Sequence, residues 1–200
     1  MTTAAALAPG TTAAIPQPSG ARHRLGATVW LTGLPSAGKS TLARALAGRL
    51  RAQGRAVEVL DGDEIRAALS PELGFGREDR HTQVTRIGFL AQKLAAHGVI
   101  VLAPVIAPYA VSRAAVRARH TAAGTRYAEI HVATPLELCS ARDVKGLYAR
   151  HAAGELRGLT GVDDPYEVPH DPELRIATQG RTVADTAAAL HAFLTERGLV

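Results

Sequence analysis

Cysteine is nearly absent. Cys139 stands alone, so no disulfide can form within the chain and no cysteine-built metal cluster is available. That usage fits a reducing compartment, and the expectation is a cytoplasmic protein. Aromatic residues make up only 4% of 200 residues, which leaves little to stack on an extended nucleic acid. The 23 Lys and Arg exceed the 18 Asp and Glu by five, yet they are scattered along the chain. A mild excess of that kind points to a small phosphate- or sulfate-bearing partner, with no nucleic acid. No run of about 18 apolar residues occurs, so no membrane span is expected. The histidines show no metal-ligand spacing and read as surface or packing residues. Residues 1–20 are rich in Ala, Thr and Pro and lack the basic start and compact apolar stretch of a signal peptide. Residues 1–24 are expected to form a disordered tail, followed by a single domain over 25–200.

What is present is an alternation of short apolar runs and helical stretches. Strands are predicted at 27–32 (ATVWLT), 57–60, 99–102 (VIVL), 128–132 and 174–176. Helices are predicted over 39–53, where Leu42, Leu46 and Leu50 recur four apart, and over 78–97, 109–122, 135–142 and 183–197. Residues 143–172, rich in Gly, Asp and Pro, read as a long loop region. Fully apolar strands between helices imply a mostly parallel central sheet covered on both faces, a three-layer α/β/α domain of the P-loop NTPase type.

Residues 33–40 read GLPSAGKS, which fits G-x-x-x-x-G-K-[ST] between a β-run and a helix. Gly33 and Gly38 allow a tight turn and close approach to phosphate. Backbone N–H groups of Leu34, Ser36, Ala37 and the helix start at Lys39-Ser40-Thr41 would then face an anion, with Pro35 part of the same cradle and ATP the expected occupant. Lys39 supplies a point charge to the β- and γ-phosphates, and the Ser40 hydroxyl can ligate Mg2+.

Asp61-Gly62-Asp63 sits where the second predicted strand ends, the edge that faces the ligand crevice in open α/β sheets. A carboxylate there could orient Mg2+ or accept a proton from an attacking hydroxyl. The same residues also make a turn and N-cap for the helix-prone stretch IRAAL, and spacing does not choose between the two. Arg80, in E-D-R, reads on its own as an exposed helix charge paired with Glu78 or Asp79.

Taken in order, GLPSAGKST (33–41), LDGDEIRAALS (60–70), LGFGREDR (73–80), GVIVLAPVIAPY (98–109), RDVKGLY (142–148) and GLTGVDDPYEVP (158–169) resemble the adenylylsulfate (APS) kinase family. The resemblance spans residues 25–197. It implies transfer of the γ-phosphate of ATP to the 3′-hydroxyl of adenosine 5′-phosphosulfate, giving 3′-phosphoadenosine 5′-phosphosulfate (PAPS). By position it implies that Lys39 and Asp63 are catalytic and that Ser40 and Asp63 hold Mg2+. It implies Asp61, Arg66, Phe75, Arg80, Gln83, Ile106, Ala107, Lys145, Leu147 and Leu159 as substrate contacts. The last three belong to a mobile lid near 145–170, in which Asp163 and Asp164 order backbone turns. It also implies a homodimer.

Five positions depart from the common family pattern. Gln83, Thr85, Ala107, Ala152 and Leu159 stand where members often carry Asn, Arg, Ser, Arg and Phe. Ala107 has no hydroxyl, so no phosphoenzyme can form there and direct in-line transfer is expected. The alternatives are a kinase for a different nucleotide-like acceptor and an inactive APS- or PAPS-binding module.

Overall fold

The computed structural model describes residues 26–200; the expected tail over 1–24 lies outside the described residues. Twelve elements alternate along the described chain: β1 (Ala27–Thr32), α1 (Lys39–Ala52), β2 (Val57–Val59), α2 (Gly62–Leu69), α3 (Arg77–Ala96), β3 (Ile100–Pro104), α4 (Ala110–Ala122), β4 (Arg126–Val132), α5 (Leu136–Arg142), α6 (Leu147–Ala152), β5 (Leu174–Ile176) and α7 (Val183–Glu196). The five strands form one parallel sheet in the order β2-β3-β1-β4-β5.

Strand alternation makes the three layers. On β1, Ala27, Val29 and Leu31 point to one face, where they pack with Leu42, Leu46 and Leu50 of α1 and Leu190 and Leu194 of α7. Trp30 points to the other, against Val84, Ile87 and Ala91 of α3 and Val116 of α4. Every residue of β1 and β3 is buried, as central parallel strands require. The chain winds one way from β1 to β2 and the other way from β3 to β4. The reversal opens a crevice above the C-terminal ends of the central strands, and the loop after β1 runs into it.

The predicted elements match within two residues at most ends. The exceptions are α2, which spacing left open between a helix start and a catalytic turn, and the segment read as loop over 143–172, which contains α6. Six residues are too few for a helical period to register. The Asp143 carboxylate nucleates this helix by accepting from the amides of Tyr148 and Ala149.

Helices α3 and α4 meet at Gly88. A Cβ there would sit 2.6 Å from Val116 Cγ2. Gly88→Ala gains about 1 kcal/mol of helix propensity. The overlap costs more, because valine in a helix has essentially one rotamer to offer. The expected net loss of about 1–2 kcal/mol lowers the midpoint of thermal unfolding by about 2–8 °C. Val116→Ala added to Gly88→Ala should recover part of it.

Candidate active site

The loop between β1 and α1 turns its carbonyls inward. Lys39 Nζ donates to Gly33 O (2.9 Å) and Leu34 O (2.7 Å). Tyr148 OH donates to Pro35 O (3.1 Å), and Thr134 Oγ1 to Ala37 O (2.8 Å). Helix α1 then begins at Gly38, φ 99°, without any side-chain cap. The first amides of a 14-residue helix are thus left for an anion. Only glycine fits at position 33, since a Cβ there would lie 2.6 Å from Val132 O. Burial pulls the Lys39 ammonium down from 10.5 to about 7, outweighing the opposing pull of Asp61.

The opposite wall is α2 and the loop into α3. Both readings of Asp61-Gly62-Asp63 hold, one for each carboxylate. Asp61 is buried and caps α2, accepting from the Asp63 amide at 3.1 Å, with Arg44 3.5 Å away. Asp63 projects from the first turn and pairs with Lys145. Arg66 donates to Leu73 O and Gly74 O, and Arg80 to Phe75 O (2.7 Å). The two arginines therefore fold residues 73–75 into a fixed turn that presents Phe75 with 67% of its surface exposed. Both guanidiniums lie over its ring, at 4.9 and 5.8 Å. An aromatic left so open at a cleft offers a face on which a planar group can stack. Arg80 is not the exposed helix charge that local sequence suggested. It is buried, bonded to Gly158 O at 2.8 Å, with Asp164 3.6 Å away. Burial and the neighbouring Arg80 charge lower the pKa of Arg66, so this end of the cleft is electrostatically ready for an anion.

Residues 142–167 cover the cleft. Lys145 reaches Asp63, and the Val144 amide donates to Ser36 Oγ at 3.2 Å. Asp163 accepts from the amides of Gly158 and Leu159, and Asp164 from Tyr109 OH. Gly161, at φ 88°, lies against Leu34: a Cβ there would be 2.4 Å from Leu34 Cδ2.

A cleft of about 1140 Å³ joins these walls. It is lined by Pro35, Ser36, Gly38, Lys39, Ser40 and Thr41 of the loop, by Asp61 and Asp63, and by Arg66, Phe75, Arg80, Gln83, Ile106, Ala107, Lys145, Leu147 and Leu159. Gly33, Leu34 and Ala37 shape the loop from behind. Gln83 is buried; its Nε2 donates to Gly62 O at 3.3 Å, while its Oε1 has no partner. Thr85 lies outside this lining, its hydroxyl turned back to Thr82 O. Ala152 is exposed on α6 and outside it too.

Sequence reasoning missed the residues at the far end of the loop. Arg142 bonds Thr178 Oγ1 at 3.0 Å and approaches Ala37 O at 3.5 Å. With Thr178, Arg181 and Val183 it walls the cleft beside Gly38. Arg142 opens the RDVKGLY block, so the signal was there. Arg181 lies in a turn after β5 that no motif marks.

Among the described residues no cluster of three or more His, Cys, Asp or Glu side chains could hold a metal alone, and no helix is long and apolar enough to cross a membrane. The Ser40 hydroxyl and Asp63 carboxylate are oxygen donors of the type Mg2+ prefers, and two alone are too few to cage it without phosphate oxygens.

A family model described as adenylylsulphate kinase matches residues 25–177. The adenylyl-sulfate kinase of Myxococcus xanthus is 51% identical over 175 residues, 88% of this chain and 94% of that protein. That of Microcystis aeruginosa is 47% identical with the same coverage. Among solved structures, the Mycobacterium tuberculosis APS kinase in complex with AMPPNP and APS is 40% identical and superposes with a TM-score of 0.83, over 85% of this chain and 98% of that one.

Proposed function

The chain belongs to the adenylylsulphate kinase family, and we propose that its cleft carries the γ-phosphate of ATP to the 3′-hydroxyl of adenosine 5′-phosphosulfate, releasing ADP and PAPS. One observation carries this reading: the uncapped start of α1 with Lys39, and the carboxylate of Asp63, line one cleft.

The amides at the start of α1 and the Lys39 ammonium bind the β- and γ-phosphates and neutralise charge as it shifts toward the leaving oxygen. Phe75 stacks on the acceptor's base, with buried Leu159 packing opposite. Arg66 and Arg80 supply cationic forks toward the phosphosulfate. The acceptor hydroxyl gives its proton to Asp63. Its oxygen bonds to the γ-phosphorus as the bond to the β–γ bridging oxygen breaks. Ala107 offers no hydroxyl, so the phosphoryl group passes directly between substrates. Mg2+ arriving on ATP would be held by Ser40 and Asp63 and would supply charge neutralisation between the phosphates. Residues 143–167 exclude water, against which transfer would be wasted. Homodimeric assembly and a cytoplasmic location belong to the same proposal and rest on family likeness.

The test is ADP release from ATP and Mg2+ with APS, with AMP and other 5′-nucleotides as controls. Release that depends on APS supports the reading. Equal release without APS, or release only with another nucleotide, overturns it.

A further inference from the structure

The wall formed by Ile106 and Ala107 is strained. Ala107 lies at φ 44°, in the left-handed region that an alanine rarely occupies, and its side chain is buried. Helix α4 begins two residues later at an N-cap, Tyr109, that supplies no side-chain cap. Nothing local holds the turn in this shape.

Two side chains behind it do. Thr32 Oγ1 donates to Ile106 O at 2.6 Å. Arg113, buried in the first turn of α4 and outside the cleft lining, donates from Nη1 to Ala107 O at 2.8 Å and from Nη2 to Glu167 O at 2.7 Å. Its Nε lies 2.8 Å from Glu129 Oε1, an ion pair not aligned as a hydrogen bond. Glu167 closes the ring. Its amide donates to Pro108 O at 2.8 Å, and its carboxylate accepts from Ala110 N at 2.6 Å. Glu129 in turn faces Arg117, which pairs with Glu173. The guanidinium thus ties the strained turn to the chain that follows Asp163 and Asp164, and anchors both to β4.

We propose that Arg113 is a positioning residue: it holds the Ile106–Ala107 turn in the shape that receives the acceptor, and couples that turn to the seating of residues 158–167. The proposal rests on the functional reading only in taking this wall to be the acceptor's. The competing role is mere neutralisation of buried Glu129.

The two roles separate by variant. Arg113→Lys keeps the charge opposite Glu129 but cannot make the forked bonds to two carbonyls. It should raise the KM for APS by about tenfold or more while the affinity for ATP changes by less than about twofold. Glu129→Gln keeps the fork and loses the counter-charge; whatever it does to melting, the KM for APS should stay within about threefold of wild type. Ala107→Gly placed on Arg113→Lys should recover at least about threefold of the lost KM, because glycine occupies the left-handed turn without strain. A folded Arg113→Lys enzyme with unchanged KM for APS, or Glu129→Gln raising it equally, overturns the proposal. Amide exchange at residues 105–110 and 166–168, measured without any acceptor, should accelerate in Arg113→Lys; unchanged exchange there also sinks it, whichever alcohol the wild-type enzyme phosphorylates. Absence of APS turnover in the wild type would instead sink only the functional reading.

Discussion

Lys39→Ala lowers kcat by about 1000-fold or more, because the charge it removes acts most strongly on the phosphoryl group as the transfer proceeds. The same substitution frees Gly33 O and Leu34 O, which Lys39 now binds, so the loop loosens and the KM for ATP rises as well. Burial supplies a second, independent signature. Desolvation brings the free lysine to about 7, so at pH 8 most of it is neutral. The phosphates of ATP favour the charged form and raise that value in the complex. Binding at pH 8 must therefore take up a proton, and affinity must fall as pH rises from 7 toward 9. Titration calorimetry in buffers of different ionisation enthalpy measures the uptake; at pH 6, with the lysine already charged, this contribution disappears. Lys39→Ala should abolish the difference between the two pH values that wild type shows. Proton release at pH 8, or uptake that persists in Lys39→Ala, would remove Lys39 from the phosphate site.

The phosphate loop was readable because its chemistry is local: two glycines, a lysine and a hydroxyl within eight residues, between an apolar run and a helix. The sheet was readable for a related reason, since buried parallel strands are apolar throughout and β1 and β3 are. The acceptor side was not readable from residues alone. Arg80 looks like a surface charge when only Glu78 and Asp79 are in view, and its partners Gly158 and Asp164 come from some eighty positions onward. Resemblance put it in the site, but not what it does there, which includes shaping the Phe75 turn. Asp61 and Asp63 could not be told apart by spacing. A cap and a free carboxylate differ only in which way the first turn of α2 points them. Arg113 escaped notice altogether: a lone arginine in an amphipathic helix carries no pattern, and the strain it holds at Ala107 is a backbone property.

Asp63→Asn should cut kcat by about 100- to 10000-fold and weaken ATP binding far less, since Lys39 and the amides at the start of α1 carry most of the grip on the phosphates. Asparagine keeps the shape and the helix start but cannot take the acceptor's proton. Folding should hardly notice: Asp63 and Lys145 are 69% and 55% exposed, and an ion pair that open contributes about 0–1 kcal/mol. Lys145→Met isolates the pairing. It leaves the carboxylate in place and loses only its orientation and the cation, so its kcat should lie between wild type and Asp63→Asn. Asp61 answers to different physics. Its side chain is buried and caps α2, so Asp61→Ala should first cost about 1 kcal/mol of stability, while Asp61→Asn keeps the cap. Measured side by side, Asp63→Asn and Asp61→Asn decide which carboxylate meets the alcohol. If Asp61→Asn abolishes turnover while Asp63→Asn retains it, the proton acceptor is the buried cap, and the exposed carboxylate serves only to seat Lys145 over the cleft.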